Sequence, residues 1–371
     1  MKVLVDGYWN LNLGDDLFLK ILTDYLPQND YSIIVNENQK SESKAYKRIN
    51  LITRKQSKIR KTMDLISRAI YKLNPNKKII LPGSSDAFLI NLTKLNNFDA
   101  YLLLGGSLFI FPSKGMDCGY SSKRQIILSG IPYFIAGANF GPAYNKKQVN
   151  EYHKLFKFVK GASFRDKYSY SLFKDLGDQI QYHPDIVFGL DVSNYHKTED
   201  FILISVINPE SSGHTKEISE KYFNYICNLA RHYSNNGEKV VLMSFCEPAG
   251  DLNYISKILA TIHSNNITAY NHNDVEKSLQ MIAKAKKIIA TRYHAMILAW
   301  IFEKDVYVIS YNKKTTNVIS DLFPKQNYVD IKEISSSTKP KFSKMPTEKI
   351  NYLKSESLKH FDKFKSFTIG E

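Results

Sequence analysis

Short apolar segments alternate with amphipathic segments along most of the chain, and this alternation constrains the fold most strongly. The opening run Lys2–Gly7 ends at a glycine, and helical spacing of Leu, Phe and Ile follows over Leu17–Leu26. Runs such as Tyr101–Leu104 and Phe201–Ile207 repeat the pattern further along. Because strands that alternate with helices build parallel sheets through right-handed crossovers, the sequence predicts an α/β fold of Rossmann-like units.

The alternation is interrupted near Asp191–Asp200 and then restarts. A chain of 371 residues is long enough for two domains. We therefore expect two Rossmann-like domains that face a cleft, over residues 1–195 and 196–335. A connector and a C-terminal helix would follow over 336–371. One helix face of this segment is apolar at Ile350, Leu353, Leu358, Phe361 and Phe364. Packing back on the body is the favoured interpretation of that face, and a membrane-surface helix is the alternative.

Composition places the chain among globular proteins of a reducing compartment. Hydrophobic residues make up 43% and charged residues 23%, a balance that excludes disorder over most of the length. Three cysteines without C-x-x-C spacing suggest neither a disulfide framework nor a zinc site. The first residues lack the apolar core of a signal peptide, and no apolar run is long enough to span a membrane. We expect a cytoplasmic protein.

Positive charge is concentrated in one segment. Gln39–Lys78 holds 13 basic and two acidic residues, so it carries +11 of the formal net charge of +15. Lys58–Leu73 within it has helical spacing. Such a segment favours contact with polyanions or with the anionic inner face of the cell membrane, and a solvated surface is the alternative. A nucleic-acid partner is not predicted, because the chain has charge in its favour but no recognised binding motif.

The polar cluster Thr291-Arg292-Tyr293-His294 stands between a predicted strand and a predicted helix, Lys287–Ala290 and His294–Phe302. Ligands of open parallel sheets bind beyond the carboxyl ends of the strands, and a helix N-terminus favours anions. Arg292 offers a fork for phosphate or carboxylate, and His294 can exchange a proton near neutral pH. The cluster predicts an anion site with acid chemistry, and a structural ion pair with a capped helix is the alternative.

Other candidate residues also follow predicted strands. Tyr311 and Lys314 come after Val306–Ser310, where a lysine could bind phosphate or simply be solvated. Arg165-Asp166 stands at the start of a predicted helix, Asp166–Leu176, that Gly177 closes, and a structural salt bridge is the alternative for this pair. The turn Leu11–Asp16 contains Asn12, Gly14 and Asp15, and a helix cap is the favoured interpretation of Asp15. The chain has no G-x-G-x-x-G, P-loop, H-E-x-x-H or G-x-S-x-G motif, and no histidine pair at metal-ligand spacing, so we predict no metal and no bound cofactor.

Taken in order, these motifs resemble the polysaccharide pyruvyl transferase family. The shared pattern consists of Asn12-Leu13-Gly14-Asp15, Gly105-Gly106, Gly141-Pro142, Arg165-Asp166 with Ser169, Pro184-Asp185, Arg292-Tyr293-His294, and Tyr311 with Lys314. Two positions depart from it, because Ser107 replaces a frequent third glycine and Asn208 stands where an arginine often appears.

The resemblance implies a GT-B-like pair of Rossmann-like domains, with the acceptor on the N-terminal side and the donor on the C-terminal side. It implies transfer of pyruvate from phosphoenolpyruvate to a sugar of a cell-surface glycan, and leaves open whether that acceptor is lipid-diphosphate-linked. Arg165, Arg292 and His294 would contact the donor, with His294 as the general acid and Lys314 as a secondary contact. The remaining motif residues would line the substrate site: Asn12, Gly14, Asp15, Gly105, Gly106, Tyr293 and Tyr311.

Two other functions fit the same architecture. A nucleotide-sugar glycosyltransferase would bind a nucleoside diphosphate and transfer a hexose. A non-catalytic binding protein is the second alternative, since folds outlive their sites, although the presence of Arg165, Arg292 and His294 argues against it.

Overall fold

A computed structural model describes residues 1–9, 11–36, 49–55, 57–73, 80–95 and 97–370. Much of the basic segment Gln39–Lys78 therefore lies outside the described residues, namely 39–48, 56 and 74–78. The chain divides into two compact units. The first comprises Met1–Trp9, Phe18–Ile186 and Glu356–Glu371, and the second comprises Asn10–Leu17 and Val187–Ser355.

The first unit is built on a seven-stranded sheet, order β3-β2-β1-β4-β5-β6-β7, in which every described pairing is parallel. Its strands are β1 Lys2–Asp6, β2 Asp30–Asn36, β3 Asn50–Arg54, β4 Ala100–Leu104, β5 Tyr133–Ala138, β6 Gly161–Phe164 and β7 Ile180–Tyr182. The helices are α1 Leu13–Tyr25, α2 Lys58–Leu73, α3 Ser85–Leu95, α4 Tyr120–Leu128, α5 Lys146–Phe156 and α6 Lys167–Ser171, followed by 3₁₀ turns at Lys174–Leu176 and Ile186–Gly189. Strand order reverses between β1 and β4, which is the point where such sheets bind ligands.

The second unit repeats the design with a six-stranded sheet, order β10-β9-β8-β11-β12-β13. Its strands are β8 Phe201–Val206, β9 Val240–Ser244, β10 Ile267–Asn271, β11 Ala285–Ala290, β12 Asp305–Ser310 and β13 Tyr328–Asp330. Its helices are α7 Lys216–Asn235, α8 Asp251–Ile262, α9 Val275–Ala283, α10 Tyr293–Ile301, α11 Lys313–Leu322 and the first part of α12 Thr347–Leu358. Here the strand order reverses between β8 and β11, and Arg292 comes shortly after β11.

Buried strands explain why the predicted apolar runs are so continuous. Every residue of β4, β5, β8 and β9 is buried, as expected for parallel strands covered on both faces. The helix α10 is apolar almost all round and is likewise buried over most of its length. The α/β class with two parallel Rossmann-like sheets, predicted from the alternation, is confirmed.

A short N-terminal segment belongs to the second unit although β1 belongs to the first. Leu13 N–H donates to the carbonyl of Phe245 at 3.1 Å, and Asn12 forms an isolated antiparallel bridge with Cys246. The predicted turn over Leu11–Asp16 is therefore wrong in part, because α1 already begins at Leu13. Asn12 Oδ1 accepts from Gly14 N–H at 3.3 Å, so Asn12 rather than Asp15 caps the helix.

The C-terminal segment ends in the first unit. After Ser355 the chain continues through a 3₁₀ turn at Lys359–Phe361 and α13 Asp362–Ile369. Phe364 packs on Phe134 with ring centroids 5.3 Å apart, so the prediction that this segment packs back is confirmed. It is two helices, however, rather than one.

The predicted helix Asp166–Leu176 is also shorter than expected. Regular α-helix ends at Ser171, and a 3₁₀ turn follows at Lys174–Leu176. Phe173 leaves helical geometry and is fully buried, stacked on Phe164 with ring centroids 5.7 Å apart. Burial of an aromatic ring has overridden the local helical spacing.

Candidate functional site

Arg292 is held by a buried carboxylate at the switch point of the second sheet. Its Nε donates to Asp251 Oδ2 at 2.9 Å, and its Nη2 donates to Asp251 Oδ1. Asp251 is the first residue of α8, is fully buried, and also accepts from the backbone N–H of Cys246 at 3.2 Å. A bidentate bond of this kind fixes the plane of the guanidinium as well as its position.

The electrostatics of this pair keep Arg292 charged. Burial lowers the pKa of Arg292, but the charge and hydrogen bonds of Asp251 outweigh burial and raise that pKa overall. Burial also raises the pKa of Asp251, and the guanidinium acts against this shift. Since Asp251 receives two N–H donors from a permanent cation, we take it as a carboxylate. Within the described residues, Nη1 of Arg292 has no hydrogen-bond partner, so one edge of the fork can take an external anion.

His294 lies in the first turn of α10, directly over the backbone of Gly14. A Cβ atom built on Gly14 would fall 1.7 Å from His294 Nδ1. The imidazole also meets the ring of Tyr293 edge-on, with centroids 5.0 Å apart. Because Gly14 has no side chain, it leaves the space that the His294 ring occupies.

A second polar group surrounds the start of α11. Asn312 caps this helix by accepting from Thr315 N–H at 3.1 Å, and His214 Nε2 donates to the carbonyl of Tyr311 at 2.9 Å. Lys314 Nζ lies 6.0 Å from the centroid of the Tyr293 ring. Lys314 lies in the first turn of α11 and is half-buried, so this part of the segment is helical rather than a loop.

Another buried contact ties the start of α1 to the second sheet. His272, just after β10, donates from Nε2 to Asp16 Oδ2 at 2.9 Å, and both side chains are buried. His272 Nδ1 lies 2.8 Å from Ser278 Oγ. Asp16 is two residues from Gly14, so this contact fixes the first turn of α1, against which the His294 ring packs.

Arg165 is bound in a comparable way in the first unit. Its Nη1 donates to Asp185 Oδ2 at 2.6 Å, and its Nη2 donates to Asn139 Oδ1 at 2.9 Å. Arg165 and Asp185 are both buried. A Cβ on Gly106 would fall 2.2 Å from the guanidinium carbon of Arg165, so this glycine too leaves space for a charged side chain. Gly105 has φ of +130°, a conformation that favours glycine for a different reason.

The structure distributes the predicted site residues over two groups. The second unit holds Asn12, Gly14, Asp15, Arg292, Tyr293, His294, Tyr311 and Lys314, and the first unit holds Gly105, Gly106 and Arg165. Those of the second unit follow the carboxyl ends of strands or lie at the start of α1, which is hydrogen-bonded to Phe245 and Cys246. Asn12 Nδ2 donates to Asp15 Oδ2 at 2.8 Å, so these two side chains restrain each other.

Sequence reasoning missed several residues that position the predicted ones, notably Asp251, Asn139, Asp16 and His272. Each lies after a strand or at a helix start, which was the available signal, but isolated acids and amides are common there. Among the described residues, no three His, Cys, Asp or Glu side chains converge as metal ligands would. No helix within the described ranges combines the length and apolar character needed to cross a bilayer.

Several solved structures share this fold over nearly the whole chain. UDP-GlcNAc 2-epimerase from Neisseria meningitidis, bound to UDP-GlcNAc, aligns with a TM-score of 0.53 and 12% identity, covering 96% of this chain and 94% of the other. The corresponding enzyme from Methanocaldococcus jannaschii gives 0.52 and 10%, covering 92% and 95%. Such low identities show the fold alone. Among curated proteins, no sequence matches this chain.

Fold and site together define an α/β protein of the GT-B-like class, with ion-paired arginines near the strand ends of two Rossmann-like sheets. The family model for polysaccharide pyruvyl transferases matches residues 12–313. The chain belongs to that family, as its ordered motifs predicted.

Proposed function

We propose that this protein transfers pyruvate from phosphoenolpyruvate to two hydroxyls of a sugar in a cell-surface glycan or its precursor, forming a pyruvate ketal. The observation that carries the proposal is the juxtaposition of Arg292, fixed by Asp251, with His294, seated over Gly14, at the start of one buried helix. It combines a fixed cation with a group that can carry a proton.

The donor would need cations for a phosphate and a carboxylate. Arg292 offers its open Nη1 edge, the N-terminus of α10 offers the positive end of the helix dipole, and Lys314 lies close by. Because Arg292 is held in place beforehand, it loses little freedom when an anion binds. Arg165, in the first unit, is likewise held beforehand by Asp185 and Asn139, and we propose it as a second cation for binding an anionic substrate group.

Ketal formation sets the task of His294. The acid delivers a proton to C3 of phosphoenolpyruvate, which makes C2 electrophilic, and a sugar hydroxyl adds its oxygen to C2 and gives up its proton. The bond from C2 to the phosphate oxygen then breaks, the oxygen of a second hydroxyl bonds to C2, and the proton of that hydroxyl passes to the departing phosphate. One sugar, through two of its hydroxyls, and one phosphoenolpyruvate thus yield a cyclic ketal and inorganic phosphate, with no cofactor.

Ligand-dependent melting tests this proposal. Phosphoenolpyruvate at about 100 times its dissociation constant should raise the melting temperature by on the order of 3 °C. Arg292→Ala should abolish that rise, because the fixed cation is gone. Arg231→Ala is the matched control, since Arg231 donates to the carbonyl of Thr261 at 3.0 Å on the surface, and it should keep the full rise.

The same scan with UDP and UDP-GlcNAc tests the rival function. The solved UDP-GlcNAc 2-epimerases of this fold motivate the comparison, although their low identity carries no activity to this chain. A rise with UDP or UDP-GlcNAc and none with phosphoenolpyruvate would replace the proposal with a nucleotide-sugar glycosyltransferase. No rise with any of the three would favour a binding protein without this chemistry.

A further inference from the structure

The helix α2 exposes apolar side chains in an ordered arrangement. Ile59, Ile66 and Leu73 have 69%, 39% and 87% of their surface exposed, and they follow one another at intervals of seven residues. Residues seven apart lie on one side of an α-helix, so the three form a continuous stripe. Leu65, which is 63% exposed, lies further round the exposed side.

This exposure is not the result of a loosely placed helix. Asp64, on the opposite side of α2, accepts from the backbone N–H and the hydroxyl of Ser85 at 2.8 and 2.7 Å. Arg60 donates to the carbonyl of Lys55 at 2.6 Å, and its guanidinium lies 5.0 Å from the centroid of the Phe88 ring. These contacts fix the rotation of α2 about its axis and keep the stripe facing outward.

Positive charge lies on the same exposed face of α2 as the apolar stripe but further round the helix, with Lys61 and Arg68 roughly 120–180° from the stripe at 100° per residue. Lys58, Lys61 and Arg68 are exposed, and the helix sequence carries five basic residues against a single acid, Asp64, which is engaged with Ser85. The wider segment Gln39–Lys78 has a net charge of +11. Apolar side chains beside lysine and arginine are typical of helices that lie in the plane of an anionic bilayer surface.

We propose that α2 is a membrane-contacting helix, with the stripe of Ile59, Ile66 and Leu73 in the headgroup region and with Lys58, Lys61 and Arg68 extending their long side chains to anionic lipid headgroups from the rest of the exposed face. A nucleic acid would satisfy the charges and leave the stripe in water. A second copy of the chain would bring the same positive charge against itself. This surface goes beyond the proposed reaction, because it would hold the protein where lipid-linked glycan precursors lie.

Vesicle flotation of the full chain tests the proposal. The protein should bind to vesicles of phosphatidylcholine with about 30% phosphatidylglycerol, and it should bind much less to vesicles of phosphatidylcholine alone. Raising the salt from about 0.1 M to 0.5 M should weaken binding by screening the lysines. The double variant Ile59→Ser/Leu73→Ser should lower the partition coefficient by about tenfold or more, because it removes apolar surface from the interface.

Matched controls separate this surface from general stickiness. Ile369→Ser/Leu128→Ser removes one exposed Ile and one exposed Leu elsewhere on the first unit and should leave binding unchanged. Lys58→Gln/Lys61→Gln should weaken binding by several fold, whereas Lys157→Gln/Lys160→Gln, with the same change in net charge, should not.

Three outcomes would overturn the proposal. These are no binding to the anionic vesicles, equal losses in test and control pairs, and full binding by the Ile59→Ser/Leu73→Ser variant. The last result together with tight binding to double-stranded DNA would make the segment a polyanion site that uses charge alone. The vesicles contain no glycolipid and the assay no phosphoenolpyruvate, so its failure is separate from any failure of the proposed reaction.

Discussion

At the scale of single residues, two glycines support the candidate site through the side chains they exclude. A Cβ on Gly14 would overlap the His294 ring, and a Cβ on Gly106 would overlap the Arg165 guanidinium. Neither glycine has the positive φ that would by itself disfavour other residues. Their requirement is therefore for space, and each ties one motif of the family to another that is distant in sequence.

Replacing Gly14 by alanine tests this pairing. Gly14→Ala should displace the imidazole and lower turnover by about 10²–10⁴-fold, the loss expected when a general acid is removed. Phosphoenolpyruvate should still raise the melting temperature, because Arg292 is left in place. Turnover can be followed as phosphate release from phosphoenolpyruvate, with a panel of nitrophenyl glycosides as acceptors.

The double variant Gly14→Ala/His294→Ala provides the internal control. If the methyl group acts only by moving the ring, the double variant should be no slower than His294→Ala alone, since residues that act as a unit are not additive. A Gly14→Ala protein with normal turnover would show that His294 does not need its observed position. Additive losses would show that Gly14 serves a separate purpose.

The sequence indicated the functional groups of the site better than it indicated their partners. Arg165, Arg292 and His294 could be singled out because each follows a strand of a predicted parallel sheet. Asp251 and Asn139 could not, because they pair across 41 and 26 positions of chain. Asp16 and His272 are separated by 256 positions. A pairing between two loop side chains leaves no periodic pattern in the sequence.

At the scale of secondary structure elements, buried elements were predictable and peripheral ones were not. The apolar runs of β4, β8 and β9 mark them as buried parallel strands, and the spacing over Lys58–Leu73 predicted α2 with its observed bounds. The edge strands β3 and β13 were missed, because each is short and only partly buried. Neither therefore shows a continuous apolar run.

The docking of α1 on the second sheet yields a prediction for Asp16. Asp16→Ala would leave the buried Nε2 of His272 without its acceptor, and loss of such a bond lowers the free energy of unfolding by about 1–3 kcal/mol. Urea denaturation followed by circular dichroism would measure the change. Turnover should fall as well, because the turn that carries Gly14 is no longer fixed beneath His294.

Asp24→Ala on the same helix is the matched control. Asp24 forms an exposed ion pair with Lys20 at 3.0 Å, and pairs of this kind contribute about 0–1 kcal/mol. Equal effects of the two substitutions would contradict a structural role for the contact between Asp16 and His272.

At the scale of the whole molecule, the chain leaves the first unit and returns to it at its C-terminus. The returning segment is fixed by His360, which is buried. Its Nε2 donates to the carbonyl of Pro184 at 2.8 Å, and its Nδ1 lies 2.8 Å from Ser163 Oγ. Such an arrangement favours the neutral imidazole, because protonation of Nδ1 would place a positive charge in a buried site. The stability of the chain should therefore depend on pH through this residue.

Burial lowers the pKa of His360 to about 3, with the neighbouring His183 acting in the same direction. In the unfolded chain the pKa is about 6.5, so between these values the unfolded state binds the extra proton. Stability from this residue is thus present above about pH 6.5 and is lost as the pH falls, at about 1.4 kcal/mol per pH unit. Between pH 7 and 5 the loss should reach about 2 kcal/mol.

His360→Gln, although less stable at pH 7, should lose less free energy of unfolding over the same interval, since the remaining titratable groups are common to both proteins. Parallel urea titrations at the two pH values give this difference directly, and equal losses in both proteins would show that His360 is not the group that couples folding to pH.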